Sequence, residues 1–504
     1  MFIQKRAREI ALVLAAILFC PSIYANDEFK QWLQQEKSSF QEYKDKRDKE
    51  FTAFLKKQWK GVELLKGFKR DMAPKPVLIP VARPAEKPQP VVDAKPGATG
   101  KPGPGPKLKP ESPLMIKKPF PPVSPEAQLE LTPEPAVPPK GIKITVDYFG
   151  NPLIFYYDQK LKASSFDEIS KESVSAFWST LSLADYDALI EQINTKAKAL
   201  KLSDWSYSLL VNSISKEIYP SVKSNQSLFA WFIMIKAGYK VRIAYDSQNV
   251  YLLIPSHQQL YSVPYFTLEK TRYYAVSFDG KENRLGRVYT YDGNYPGAEK
   301  VLDMRLVDEL ITKRKLEQRD LSFEFEGDKY TIKIIYDSQR VNYMNTYPQL
   351  DLEWYFKARV DVATATSLQN QLQEYIRGMD EQRAVNYLLR FVQTSLKYKT
   401  DERQFGKENY LFLEETLSYP YSDCEDRSIL FAWLVRTLLG LDVIGLDFPG
   451  HVATAVRFNS RVEGDAVTYK GARYVISDPT YLNATAGMAM PAYKKTRPGI
   501  IVVR

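Results

Sequence analysis

The sequence predicts an α+β protein with antiparallel sheets. Three observations carry this: short strands joined by tight hairpins, helical blocks set among them without a regular βαβ order, and an apolar helix led by a cysteine and followed by strands. "IKITVDYFGNPLIFYYD" alternates apolar and polar residues about a Gly-Asn turn, and "LSFEFEGDKYTIKIIYD", Leu321 to Asp337, turns at Gly327-Asp328. Residues 165–236, and again from about Ser367 to Lys397, have helical spacing, whereas 240–290 read as short strands rich in Tyr, Val and Ile.

Taken in order, residues 1–25 have a basic start (Lys5, Arg6, Arg8), an apolar run from Ile10 to Cys20 and a small residue, Ala25, at the cleavage position. That is an export signal, so a periplasmic or otherwise exported protein is expected. The run is too short to cross a bilayer comfortably, which leaves no transmembrane helix after cleavage; an uncleaved anchor is the alternative. Cys20 follows Phe19, where lipoprotein processing needs a small residue. Removing Lys5, Arg6, Arg8 and Glu9 with the signal takes the formal charge from +10 to +8. This mild, dispersed excess suits an acidic envelope surface, and no Arg-rich cluster or nucleic-acid motif accompanies it.

Residues 26–70 repeat every 11 residues, with Phe29, Phe40, Phe51 and Val62 in one series and Trp32, Tyr43, Phe54 and Leu65 in the other. Eleven residues make three turns at 3.67 per turn, so both series fall on one stripe of a long, nearly straight helix. The stripe requires a partner: another copy, a second envelope protein, or a domain of its own chain. Residues 71–140 hold 20 of the 32 prolines and read as an extended, mostly solvated spacer. The globular part divides into an α+β domain over 141–290, a β-rich connection over 291–364 and a second α+β domain over 365–504.

The two domains share a collinear pattern. "LFAWFIMIKAGYKVRIAYDSQNVYLLI" and "LFAWLVRTLLGLDVIGLDFPGHVATAV" align without gaps, pairing Gly238 with Gly440 and Val250 with Val452. The pattern of helix, Gly stop and strand predicts a duplicated unit. In the first copy Val222 stands at the position of Cys424 and Asn249 at that of His451, so that copy has lost the chemistry and serves as a scaffold or binding domain.

The chemistry itself is confined to few residues. Without the signal, Cys424 is the single thiol of an exported chain, and only His257 and His451 can partner it. Ser422 or Asp423 is positioned to cap the helix, placing Cys424 in its first turn, where free N–H groups favour thiolate. Glu425 and Asp426 oppose that charge, so a basic partner is needed. His451 opens the strand "HVATAVRF", and Asp478 ends the strand of "RYVISDPTYLN". If these strands pair antiparallel through the loop at Gly464 and Gly471, Asp478 reaches His451 and fixes its tautomer.

"YSDCEDRSILFAWLVRTLLG", "PGHVATAV" and "YVISDPTY" resemble the core of the transglutaminase-like superfamily, an offshoot of the papain-like fold, over roughly residues 365–504. The resemblance implies that Cys424 is the nucleophile, His451 the general base and acid, and Asp478 the orienting carboxylate. It implies a papain/transglutaminase-like core, preceded by a degenerate repeat, the Pro-rich linker and the long helix. The chain is also similar to periplasmic transglutaminase-like cysteine peptidases, some of which need calcium and carry an Asp-Cys-Glu-Asp turn. No cofactor is otherwise implied; Asp423, Glu425 and Asp426 are the first metal ligands to test. Val452-Ala453 follow the histidine where relatives often have Trp, which bears on substrate type.

The expected activity is acyl transfer on protein or peptide amides of the envelope. Water as acceptor gives a peptidase or amidase; an amine gives a crosslinking transglutaminase. The alternative from a different class is a non-catalytic envelope scaffold using the stripe helix and spacer.

Overall fold

The computed structural model describes residues 27–69, 75–82, 139–166, 168–278, 286–306 and 310–503. The expected signal and most of the Pro-rich stretch lie outside them. The fold is mixed α and β with antiparallel sheets. No helix among the described residues is long and apolar enough to cross a membrane.

The first helix, Asp27–Leu55, finds its partner within its own chain. Phe51 packs among Trp178, Tyr295, Tyr291 and Trp231, with ring centroids 4.6, 5.3, 5.8 and 6.3 Å away. Lys44 pairs with Asp187, and Asp48 with the buried Lys236 and the Tyr295 hydroxyl. The expected continuation of the helix to residue 70 does not occur. Residues Trp59–Glu63 instead form β1, an edge strand antiparallel to β8 (Arg287–Tyr291). Val62 satisfies a helical stripe and a strand face equally well, and here the sheet wins because Val62 and Leu64 join a core with Ala244 and Val288.

The first sheet runs β1-β8-β4-β5-β7-β6, with β4 Arg242–Tyr245, β5 Val250–Pro255, β6 Tyr265–Leu268 and β7 Thr271–Val276. The second runs β15-β16-β14-β13-β17, with β13 Asp442–Phe448, β14 His451–Arg457, β15 Ala466–Tyr469, β16 Ala472–Ser477 and β17 Gly499–Val502. Read from β8 and from β17, the two have one order and all pairs are antiparallel. Each is preceded by a buried helix, Lys223–Lys236 and Cys424–Leu434. Leu252 pairs with Val276 as Thr454 pairs with Ser477, so Ser277 in the first half stands where Asp478 stands in the second.

Between them, the region expected to be β-rich is partly helical. It holds the hairpin of β9 (Leu316–Phe325) and β10 (Asp328–Asp337), then helices Ser338–Met344 and Leu352–Lys357. The hairpin turns at Glu326-Gly327, both at positive φ, one residue earlier than expected. β2 (Ile142–Tyr148) and β3 (Asn151–Tyr157) form the first expected hairpin. Helices Val362–Ile376 and Glu381–Ser395 precede a short parallel pair, β11 (Lys397–Tyr398) with β12 (Tyr421–Ser422), which carries Tyr398 to the start of the cysteine helix. One apolar cluster extends from Phe51 to Val503 and joins both halves.

Candidate active site

Cys424 is the first residue of its helix, after Asp423 in extended conformation. The Asp423 N–H donates to Asp426 Oδ2 (3.3 Å), while Asp426 Oδ1 accepts from the Leu411 N–H (3.0 Å), a side-chain cap that fixes the helix start. The helix is buried on nearly every face. Its Arg427 guanidinium, also buried, donates to the Leu396 and Gln393 carbonyls (2.7 and 3.3 Å) and to Ser422 Oγ (3.2 Å). Ser428 Oγ, one turn beyond the cysteine, donates to the Val452 carbonyl at 3.1 Å and so seats the helix against the start of β14.

His451 opens β14 after a turn at Gly450, where φ is +72°. The expected antiparallel pairing of β14 with β16 is present, and Asp478 leaves the end of β16 beside the imidazole. His451 Nε2 lies 2.8 Å from Asp478 Oδ2. The other carboxylate oxygen accepts the N–H groups of Thr480 (2.9 Å) and Tyr481 (3.2 Å). Gln393 Nε2 donates to the carbonyls of Asp478, Tyr481 and Ala484, pinning this loop from beneath. The Tyr493 ring stacks on the imidazole, with centroids 5.0 Å apart. His451 Nδ1 is buried and has no hydrogen-bond partner.

The structure thus brings His451 and Asp478 together but makes no hydrogen bond between Cys424 and His451. The thiol donates instead to Glu425 Oε2 at 2.8 Å. Burial, followed by the charges of Glu425 and Asp423, pushes the Cys424 thiol well above its ordinary value. The helix-start effect expected to favour thiolate is outweighed here, and the sulfur is a neutral thiol in this arrangement.

Lys75, from the stretch expected to be a solvated spacer, enters this site. Its Nζ lies 2.5 Å from Glu425 Oε1 and Glu408 Oε1, 2.8 Å from Asp423 Oδ2 and 3.7 Å from Asp401 Oδ2. Burial opposes its charge, yet Glu425 and Asp423 raise its pKa overall. Against the burial that would raise it, Lys75 holds Glu425 down to about 2. Burial and the Glu425 charge push Asp426 and Glu408 up to about 7, and burial also raises Asp401 and Asp423.

Three sets of groups lie within 4.8 Å of one another and could hold a metal: Asp423, Cys424 and Glu425; Asp401, Asp423 and Asp426; Asp401, Glu408 and Glu425. The carboxylates among them are hard oxygen donors of the kind calcium takes. Lys75 already neutralises several of the same oxygens, so a cation and Lys75 compete for one site. Asp401, Glu408, Tyr398, Gln393, Tyr493 and Lys75 were not marked by sequence reasoning. Only Lys75 had a local signal, the apolar run "KPVLIPVA" inside an otherwise Pro- and Lys-rich stretch.

Comparison with protein-family models, curated proteins and solved structures returns no match for this chain.

Proposed function

We propose that the chain is an exported thiol-dependent acyl-transfer enzyme, a transglutaminase-like cysteine peptidase or amidase with a papain-like core over residues 365–504, acting on protein or peptide amides in the cell envelope. The observation that carries this is the His451 Nε2 to Asp478 Oδ2 contact of 2.8 Å, which leaves Nδ1 buried and unpartnered on a strand seated against the cysteine helix. An imidazole held by a carboxylate on one edge, with the other edge free, is the arrangement a general base requires.

In the reaction, the thiol leaves Glu425 and gives its proton to His451 Nδ1, while the sulfur bonds to the amide carbon. His451 then protonates the departing amine as the C–N bond breaks, leaving a thioester. Water attacks the thioester, and the proton it loses returns through His451 to the sulfur. The backbone N–H of Cys424 is the first oxyanion donor. Hydrolysis is preferred to amine transfer because water is the abundant acceptor.

The test is a peptide-library digest read by mass spectrometry, run on the wild-type and Lys75→Met chains because Lys75 seats beside Cys424. New cleavage products are expected, and none from the same chains carrying Cys424→Ala or His451→Ala. Products that persist in those variants, or that never form, remove the enzyme reading.

A further inference from the structure

Resting on the acyl-transfer reading, we infer that the acidic hole beside Cys424 is a subsite for a lysine ammonium of the substrate, and that residues 75–82 of the same chain fill this subsite and pair with the loop at Leu482 in the resting molecule.

The seat is built for a compact cation. Four carboxylate oxygens, from Glu425, Glu408, Asp423 and Asp401, lie 2.5 to 3.7 Å from a single nitrogen. The Tyr410 ring lies 5.8 Å from the same nitrogen. A tetrahedral ammonium with three N–H donors meets oxygens disposed around one point, whereas a guanidinium presents a planar fork. Lys75 is not local to this site: it lies 348 residues before Asp423 in sequence.

The backbone of the segment is gripped as a peptide ligand would be. The Tyr398 hydroxyl donates to the Pro76 carbonyl at 2.7 Å. The Leu482 N–H donates to the Pro80 carbonyl (3.0 Å), and the Ala82 N–H to the Leu482 carbonyl (2.7 Å). Ala82 is buried against Tyr481, Ala484 and Met490. One anchor therefore comes from Tyr398, whose strand partner Ser422 stands two residues before Cys424, and the other from Leu482, four residues past Asp478 in sequence. Main-chain pairing at a sheet-side loop with one deep side-chain seat is a recurring mode of peptide recognition.

The middle of the segment is held loosely. Leu78 is 82% exposed and Val77 50%, so their side chains contribute little to the grip. Buried polar atoms in the catalytic half also await partners: His451 Nδ1 and Asp423 Oδ1 have none. A buried donor or acceptor left unpaired is costly unless another group completes it in the working state. Substrate N–H groups supply the missing donors once Lys75–Ala82 gives way.

The experiment uses the full chain and reads alkylation of Cys424 by iodoacetamide through intact mass. Lys75→Met keeps the apolar stem and removes the charge, and it is expected to alkylate at least about tenfold faster than wild type. The free peptide KPVLIPVA, added at about 5 mM to compensate for the lost tether, is expected to slow the variant again. The same peptide with norleucine for lysine should protect at least tenfold less. Restored protection also shows that the variant is folded. An unchanged rate in Lys75→Met, equal protection by both peptides, no protection by either, or better protection by calcium chloride than by the lysine peptide overturns the inference. Removing the Lys75 charge also takes away a group that lowers the thiol's pKa, and that loss by itself slows alkylation, so a faster rate reports access to the thiol. If instead His451→Ala leaves peptide cleavage intact while Lys75→Met opens the thiol, it is the acyl-transfer reading that fails.

Discussion

Replacing Asp478 by asparagine should damage the site more than replacing it by alanine. Asp478 Oδ1 accepts two backbone N–H groups, from Thr480 at 2.9 Å and Tyr481 at 3.2 Å. In Asp478→Asn the amide oxygen must stay on those donors, which turns the NH2 group toward His451 Nε2. Two donors cannot face each other, so Nε2 becomes the acceptor and the ring proton moves to Nδ1. That is the edge required to take the thiol proton. A triad locked in its wrong tautomer loses on the order of 10⁴ in rate.

Asp478→Ala removes the hydrogen bond without dictating the tautomer. A hydrogen bond to a charged group is worth about 1.5–3 kcal/mol. At about 1.4 kcal/mol per decade, this predicts a loss of roughly 10- to 150-fold. The assay is the alkylation rate of Cys424 at neutral pH in the Lys75→Met background, with His451→Ala setting the floor and circular dichroism confirming the fold. The expected order is aspartate, then alanine, then asparagine near the floor. Asparagine within tenfold of the parent, or faster than alanine, would refute the assignment of Oδ1 to the loop and Oδ2 to the imidazole.

Two further outcomes follow from packing and charge. Asp426 and Glu408, pushed up to about 7 chiefly by burial, hold protons in the folded chain that the unfolded chain releases near 4. Their contribution to stability is therefore full below about pH 4 and is lost as the pH rises through 7; Glu425, held near 2, acts oppositely only below about 4.5. The thermal midpoint should be higher at pH 5 than at pH 8, with Asp426→Asn narrowing the gap, and a midpoint equal or higher at pH 8 would contradict these protonation states. Phe51→Ala, in the aromatic cluster that holds the first helix, should cost about 3–5 kcal/mol in denaturant unfolding, and a loss under about 1 kcal/mol would show that the helix is not held there.

What was legible in the sequence was chiefly local or pairwise. The hairpins at Gly150 and Gly327 have turn residues with positive φ between alternating strands, a signal complete within about 16 residues. The carboxy-terminal helix, the β14–β16 pairing and the approach of Asp478 to His451 followed from Gly stops and strand order. The end of the first helix was not legible, because Val62 and Leu65 fit the 11-residue stripe, and only the edge of a distant sheet makes Trp59–Glu63 a strand. Nor was the neutral state of Cys424. Its surroundings include Asp401 and Glu408, from a loop closed by the Asn409 N–H on Asp401 Oδ2 and met by Lys75 from far away in sequence.

The two halves differ at three positions although their sheets share one order: Val222, Asn249 and Ser277 stand in the first half where Cys424, His451 and Asp478 stand in the second. The first half also holds the start of the segment that reaches the second half. The first helix docks on it, β1 extends its sheet, Leu65 bridges Tyr265, and Phe68 stacks on the Tyr265 ring at 4.5 Å. Lys69 lies six residues before Lys75, a reach of at most roughly 20 Å. The anchors on the first half therefore hold Lys75 within that reach of the acidic site, and on the proposed reading a shift of those anchors would change its occupancy.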